Sequence, residues 1–375
     1  MPPVHVGLNV AFLTPGEQGG MEVYARELAR ALAARGDIEL TLLLNRLLAG
    51  EPEWSELGER VVLPVDPRRR VEWVLGDQLH VPRAAARAGV DVVHSLASTG
   101  PTRGRCARVT TIHDLNYLVY PEAHFGARGL GMRLLVPLAL RRARRVIVPS
   151  LATRDDLVAR LGADPRRIDV VPEGIGRPPR PPPDGGAAAR ELLGLDGRPL
   201  LLTVSAKRPH KNLRRLIGAL ARIPAERRPV LALPGYRTPH QDELERLARK
   251  LGVDRDVRFL GWISDDDIEG LYAAAAAFVF PSLYEGFGLP VLEAMARGVP
   301  VATSGRASLA EVAGEAALLF DPEDERSIAS AIERLLADRH LAERLRAAGR
   351  ERAARFTWER AAADTVESYR RALSA

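Results

Sequence analysis

Between Ser282 and Ser304 the chain reads SLYEGFGLPVLEAMARGVPVATS, with Glu285 and Glu293 flanking a turn that holds Gly286, Gly288 and Pro290. Paired carboxylates across such a turn can accept hydrogen bonds from the hydroxyls at two ends of one ligand. The run AFVFPS before the turn is strand-like, and Pro290 suits the first turn of a helix, where its missing N–H is not needed. VLEAMAR continues that helix, Gly298 ends it, and VPVATS is the next strand. Gly286 and Gly288 in the loop let backbone N–H groups approach a bound group, and the helix N-terminus favours an anion. Glu285 then belongs in the loop and Glu293 on the first helical turn, facing the same crevice. Spacing alone also allows a capped strand–loop–helix with two solvated glutamates.

A second cluster argues for phosphate. The chain holds three lysines, Lys207, Lys211 and Lys250, and two of them fall in SAKRPHKN after another strand-like run. Arginine carries nearly all the other positive charge, so Lys207, Arg208, His210 and Lys211 in one strand-end loop suggest a cationic clamp on a diphosphate. A solvated basic turn is the plainer alternative. His113 and Asp114 follow the strand-like RVTTI, where a binding pair is well placed. Gly19 and Gly20, in PGEQGG between a strand and a helix, allow close backbone approach. No metal site is expected. Asp254-Arg255-Asp256 precedes a strand and Asp265-Asp266-Asp267 opens a helix, and no His/Cys cluster accompanies either.

These loops need a frame. The 375 residues are too many for one ordinary domain, and 46% of them are hydrophobic. Short apolar runs alternate with helical stretches in both halves, which predicts doubly wound α/β domains with ligands at the strands' carboxyl ends. Residues 173–190, EGIGRPPRPPPDGGAAAR, read as a linker or surface loop. The predicted division is residues 1–178, residues 187–355, and a terminal helix over 356–375. One cysteine, Cys106, excludes an internal disulfide and fits a reducing compartment. No secretory or membrane-spanning pattern is expected, so the predicted location is cytoplasmic, including the inner face of the membrane. The formal charge of +6 comes mainly from arginine in an Arg/Ala/Pro-rich composition and does not call for nucleic acid.

Taken together, these segments resemble the retaining glycosyltransferases of family GT4, over nearly the whole chain. GGMEVYARELARAL is similar to the family's N-terminal loop and helix, and TIHDLNYLVYPE to the His-containing segment of a mannosyltransferase-like branch. HKNLRRLI resembles its Lys-Asn segment, and Glu285 and Glu293 match its E-x7-E motif. The resemblance implies a GT-B fold: two Rossmann-like domains facing a cleft, an acceptor domain first and a nucleotide-sugar domain second, with the terminal helix crossing back. It implies that Glu285 binds donor-sugar hydroxyls, Glu293 the ribose and Lys211 the diphosphate. Backbone N–H groups of Phe287, Gly288 and Leu289 would meet phosphate and sugar, and Ile263 the base. Gly19 and Gly20 would approach the diphosphate, and His113 would sit near sugar and acceptor. The family's usual arginine, five or six residues before the lysine, is replaced by Ala206 and Ser205. Lys207 or Arg208 would supply that second cation.

The implied activity is metal-independent transfer of a hexose, mannose in first place, from GDP-mannose or a UDP-hexose to a hydroxyl acceptor, including lipid-linked ones. A non-catalytic partner subunit and a nucleotide-sugar epimerase of the same fold are the other readings. RGLGMRLLVPLALRRARRVIVPS mixes leucine with arginine. It reads either as an Arg-capped helix leading into a core strand, interrupted at Pro137, or as a surface helix meeting anionic lipid.

Overall fold

The computed structural model describes residues 2–17, 19–121 and 127–374, without side chains for 127–130. The chain divides into two compact units. One comprises residues 1–176 together with 356–375, and the other residues 177–355.

The first unit is built on a seven-stranded parallel sheet, β1 (Val4–Asn9), β2 (Ile38–Leu44), β3 (Glu59–Val62), β4 (Val92–Ser95), β5 (Ala107–Thr111), β6 (Arg145–Val148) and β7 (Ile168–Val170). Their order in the sheet is β3-β2-β1-β4-β5-β6-β7. The winding therefore reverses between β1 and β4, which register from Val6 opposite Val92 to Asn9 opposite Ser95. Strands covered on both faces need continuous apolar runs, and β2 answers with IELTLLL, buried at every position but one. The helix Gly20–Ala33 buries Tyr24, Leu28 and Leu32 at helical spacing. The helix Trp358–Ser374 adds Trp358, Ala362, Val366 and Tyr369 to the same core.

The second unit repeats the plan with six parallel strands, β8 (Leu200–Leu202), β9 (Val230–Pro234), β10 (Val257–Leu260), β11 (Ala275–Phe280), β12 (Val301–Ser304) and β13 (Leu318–Phe320). The order β10-β9-β8-β11-β12-β13 puts its reversal between β8 and β11. Helix Leu213–Arg222 packs Leu213, Leu216, Ile217 and Leu220 into that core.

Two expectations change. The proline-rich stretch is tied to the second unit by the Arg177–Asp265 ion pair, at 2.7 Å, and by the Arg180 N–H donating to Glu269 Oε2 at 3.2 Å. Pro137 does not break its helix, which runs from Ala127 to Arg142 with the proline inside. Among the described residues no helix is long and apolar enough to cross a membrane.

Candidate active site

In an open parallel sheet, the loops leaving two strands on either side of the reversal point diverge and open a crevice at the carboxyl edge. In the second unit those strands are β8 and β11, and their loops carry Lys211 and Glu285. The Lys211 ammonium donates to Glu285 Oε1 at 2.6 Å and lies 5.5 Å from the centre of the Phe280 ring. Both partners retain some exposure, 18% and 15%. Two residues distant in sequence thus form one charged pair at the reversal point.

Asn212 explains how the Lys211 loop is held. It sits in the left-handed region at φ 58°, which asparagine tolerates better than most residues. Its buried amide donates to the carbonyls of Pro281, at 3.0 Å, and Pro322, at 2.7 Å. One side chain therefore ties the β8 loop to the loops after β11 and β13. Ser308 Oγ adds a bond to the Glu285 carbonyl at 2.7 Å. Gly288, at φ 126°, is the residue before helix Leu289–Ala296, and an added Cβ would lie 2.7 Å from Leu309. Its conformation turns the loop into the helix, with Pro290 in the first turn.

Glu293 stands one turn deeper than expected, as the fifth residue of that helix. Its carboxylate accepts from the Tyr272 hydroxyl at 3.4 Å, and burial pushes its pKa up despite the neighbouring Arg297. Arg297 is itself held by the buried Glu269 and lies 4.7 Å over the Tyr272 ring. Glu293 is thus half-buried and hydrogen-bonded rather than fully solvated.

Lys207 differs from its expected place. Its side chain is fully buried, and its ammonium donates to the Gly235 carbonyl at 2.5 Å. Burial pushes it down to about 8. The loop 203–208 passes closely over the end of β9, and Gly235 at φ 125° leaves no room for a Cβ beside the Ser205 carbonyl. Lys207 is thus drawn beneath the loop, and Arg208 is the half-exposed cation beside Lys211 in sequence. Ile263 is half-exposed, just before the Ser264 cap of helix Asp265–Ala274. Gly286, Phe287 and Leu289 are buried within the Glu285 loop. The stacked pair of Tyr236 and the exposed Trp262, 4.7 Å apart at the ends of β9 and β10, was missed in the sequence because the two residues stand twenty-six positions apart on different loops.

In the first unit, His113 follows β5. Its Nε2 is 2.8 Å from the Leu96 carbonyl oxygen and its Nδ1 3.3 Å from Glu173 Oε1. Asp114 Oδ1 accepts from the Asn116 N–H at 2.8 Å and shapes the next turn. Gly19, at φ 52°, precedes the helix that Gly20 opens. Gln18 and Glu122 of the motif segments lie outside the described residues. At the reversal point, Asp77 accepts from Asn9 Nδ2 and from the Thr99 hydroxyl, both at 2.9 Å, and burial raises it to about 6. Asp77 had no sequence signal, since it lies on a π-helical turn, Gly76–His80, with no motif around it. Among the described residues no group of three or more His, Cys, Asp or Glu side chains is placed to hold a metal ion.

Residues 18–176 match the family model described as Glycosyltransferase Family 4, and residues 188–352 the one described as Glycosyl transferases group 1. The O-antigen chain mannosyltransferase B of Escherichia coli is 34% identical over 266 residues, 70% of this chain and 70% of that protein. The MMP alpha-(1->4)-mannosyltransferase of Mycolicibacterium hassiacum is 32% identical, covering 95% of each chain. Among solved structures, sucrose-phosphate synthase from Thermosynechococcus elongatus superposes with a TM-score of 0.80 at 26% identity, covering 98% of each chain. The Anabaena protein HepE, solved with UDP-glucose, shares the fold with a TM-score of 0.76 at 21% identity, over 97% of this chain and 99% of that one. A relative matched over nearly its whole length, and family models covering most of both units, lead to one conclusion: the chain belongs to glycosyltransferase family 4 and is a hexosyltransferase of the GT-B fold, moving sugar from a nucleotide sugar to an acceptor.

Proposed function

We propose that the protein transfers mannose from GDP-mannose to a hydroxyl acceptor, with retention of anomeric configuration and without a metal ion. The observation that carries this reading is the Lys211–Glu285 pair at the β8/β11 reversal point. The mannosyltransferases among its relatives, from Escherichia coli and Mycolicibacterium hassiacum, support the choice of sugar. In this scheme residues 177–355 bind the donor, and residues 1–176 with 356–375 bind the acceptor.

The chemistry follows from the charges. As the bond from the sugar's anomeric carbon to the diphosphate breaks, its electron pair moves to the phosphate oxygen. The Lys211 ammonium and Arg208, with the N–H groups of Phe287, Gly288 and Leu289, hold that growing charge. Without donor, Glu285 neutralises Lys211. With donor bound, the diphosphate takes over the ammonium, and the released Glu285 carboxylate accepts from the sugar hydroxyls. Glu293, whose burial favours its neutral form, meets the ribose hydroxyls, and the Ile263 backbone meets the base. The acceptor oxygen attacks from the face the diphosphate leaves, and its proton passes to the departing phosphate.

The test is consumption of GDP-mannose against UDP-glucose and UDP-galactose, with products read by proton NMR. Lys211→Ala and Glu285→Gln are each expected to lower turnover at least ~100-fold with unchanged circular dichroism. Near-normal turnover in either variant would refute the role assignment, and preference for a UDP-sugar would refute mannose from GDP-mannose.

The same reading extends to a lipid-linked acceptor and peripheral contact with anionic membrane. It is supported by Leu134, 69% exposed, and Leu138, 38% exposed, on helix Ala127–Arg142 beside the exposed Arg133, Arg141 and Arg142. Leu134→Glu should abolish sedimentation with phosphatidylglycerol vesicles at low salt. Wild-type protein left in the supernatant would count against the contact.

A further inference from the structure

His113 has no spare acceptor among its contacts. One ring nitrogen faces the Leu96 carbonyl oxygen at 2.8 Å, and the other faces Glu173 Oε1 at 3.3 Å. A carbonyl oxygen only accepts hydrogen bonds, and so does an ionised carboxylate. Against an ionised Glu173 the ring satisfies both only by carrying a proton on each nitrogen. The pair is secluded, with the imidazole 12% and the glutamate side chain 6% exposed, so an ion here is solvated mainly by its partner.

The surroundings favour a cation. Tyr24, from helix Gly20–Ala33, meets the ring edge-on at 4.7 Å. Its hydroxyl is turned away to Thr111 Oγ1 at 3.0 Å. Asp114 follows in the same loop, and Thr153 Oγ1 donates to the His113 carbonyl at 3.3 Å. The other titratable ring nearby is His94 on β4, held between the Tyr369 hydroxyl at 2.7 Å and Thr111 Oγ1 at 2.8 Å. Burial first, and then the charge of His113, pushes His94 down to about 3, so it stays neutral. For His113 burial alone would lower the pKa, but the bond to and charge of Glu173, with the Leu96 carbonyl and Asp114, raise it.

We propose that Glu173 is a positioning residue for sugar transfer, holding His113 as an imidazolium fixed at the carboxyl end of β5. In that state His113 cannot take a proton from the acceptor. Within the first unit it stands as a fixed positive charge and not as a base. This inference rests on the transferase reading for its consequence, but not for its first measurement.

That measurement is nitrogen-15 NMR of the histidines in the unliganded full-length protein, with His113 assigned by its loss in His113→Gln. Both ring nitrogens of His113 are expected to carry protons at pH 7. In Glu173→Gln one nitrogen should lose its proton at that pH. Glu173→Asp, the conservative change, should keep the doubly protonated ring if Glu173→Gln folds poorly. In the consumption of GDP-mannose, Glu173→Gln should fall at least tenfold at pH 8 and recover most of that loss at pH 6. A singly protonated His113 at pH 7 in the wild type overturns the proposal whether or not the enzyme turns over. A loss in Glu173→Gln that is equal at both pH values would mean a merely structural glutamate and also overturns it. An enzyme inactive on all donors, with His113 doubly protonated, would sink the transferase assignment and leave the imidazolium standing.

Discussion

Lys207 and Lys211 lie four positions apart and have opposite fates. Lys211 reaches the edge of its sheet and meets Glu285, whereas Lys207 is buried against the Gly235 carbonyl. Residue type and loop position were legible for both. The burial was not, because it depends on Gly235, 28 positions away, giving the loop room to pass. The difference has a consequence for stability. Burial lowers the Lys207 pKa from 10.5 to about 8, so between those values the unfolded chain binds the extra proton. Stability contributed at this position therefore rises with pH across that window, and the cost of burying the charge stands in full below it. Relative to Lys207→Met, the wild type should gain in denaturant midpoint between pH 8 and pH 10. A difference that stays flat with pH would mean that the ammonium is not desolvated.

At the scale of elements, alternation of apolar runs and helical stretches was enough to expect parallel sheets, and both units have them. Strand order was harder to read. The reversals at β1/β4 and β8/β11 arise from which face each crossover helix takes, and periodicity does not encode that choice. Helix starts were nearer the surface of the sequence: Pro290 marked one and Ser264 another, the latter accepting from the Asp267 N–H at 3.1 Å. Asn212 was legible as part of the Lys-Asn segment, but the bonds by which its amide fastens the lysine loop to two others were not, because they reach 69 and 110 residues along the chain. The glycine before helix Leu289–Ala296 makes the element-scale prediction. Gly288→Ala forces a side chain into φ 126°, a strain of ~1–3 kcal/mol, and brings Cβ against Leu309. Nucleotide diphosphate affinity should drop at least tenfold in calorimetry while helix content is kept. Unchanged affinity would show that this loop does not shape the diphosphate site.

Across the whole molecule, the last twenty residues belong to the first unit although they follow the second in sequence. Tyr369 bonds His94, while Ser368 and Arg371 both bond Asp169, at 2.7 and 2.6 Å. Trp358 donates its indole N–H to the Ile175 carbonyl at 2.7 Å and packs beside Tyr24. The aromatic break at Phe356 and Trp358 was visible in the sequence, but the partner of the helix came only from the resemblance. Trp358→Ala should destabilise the first unit by ~3–5 kcal/mol, seen in calorimetric melting as a lower midpoint for that unit's transition. Nucleotide affinity, which the proposed scheme assigns to residues 177–355, should change less than threefold. A shift confined to the transition of residues 177–355 would contradict this assignment of the helix.

The proposed function stands or falls with a nucleotide-sugar site marked by Lys211 and Glu285 at the β8/β11 reversal. Its most direct test is isothermal titration of the wild type and Lys211→Ala with GDP, UDP, ADP and their sugars, with chelator present. GDP and GDP-mannose are expected to bind the wild type, and Lys211→Ala to weaken GDP at least tenfold. Absence of binding by every nucleotide, or equal affinity in the two proteins, would contradict it.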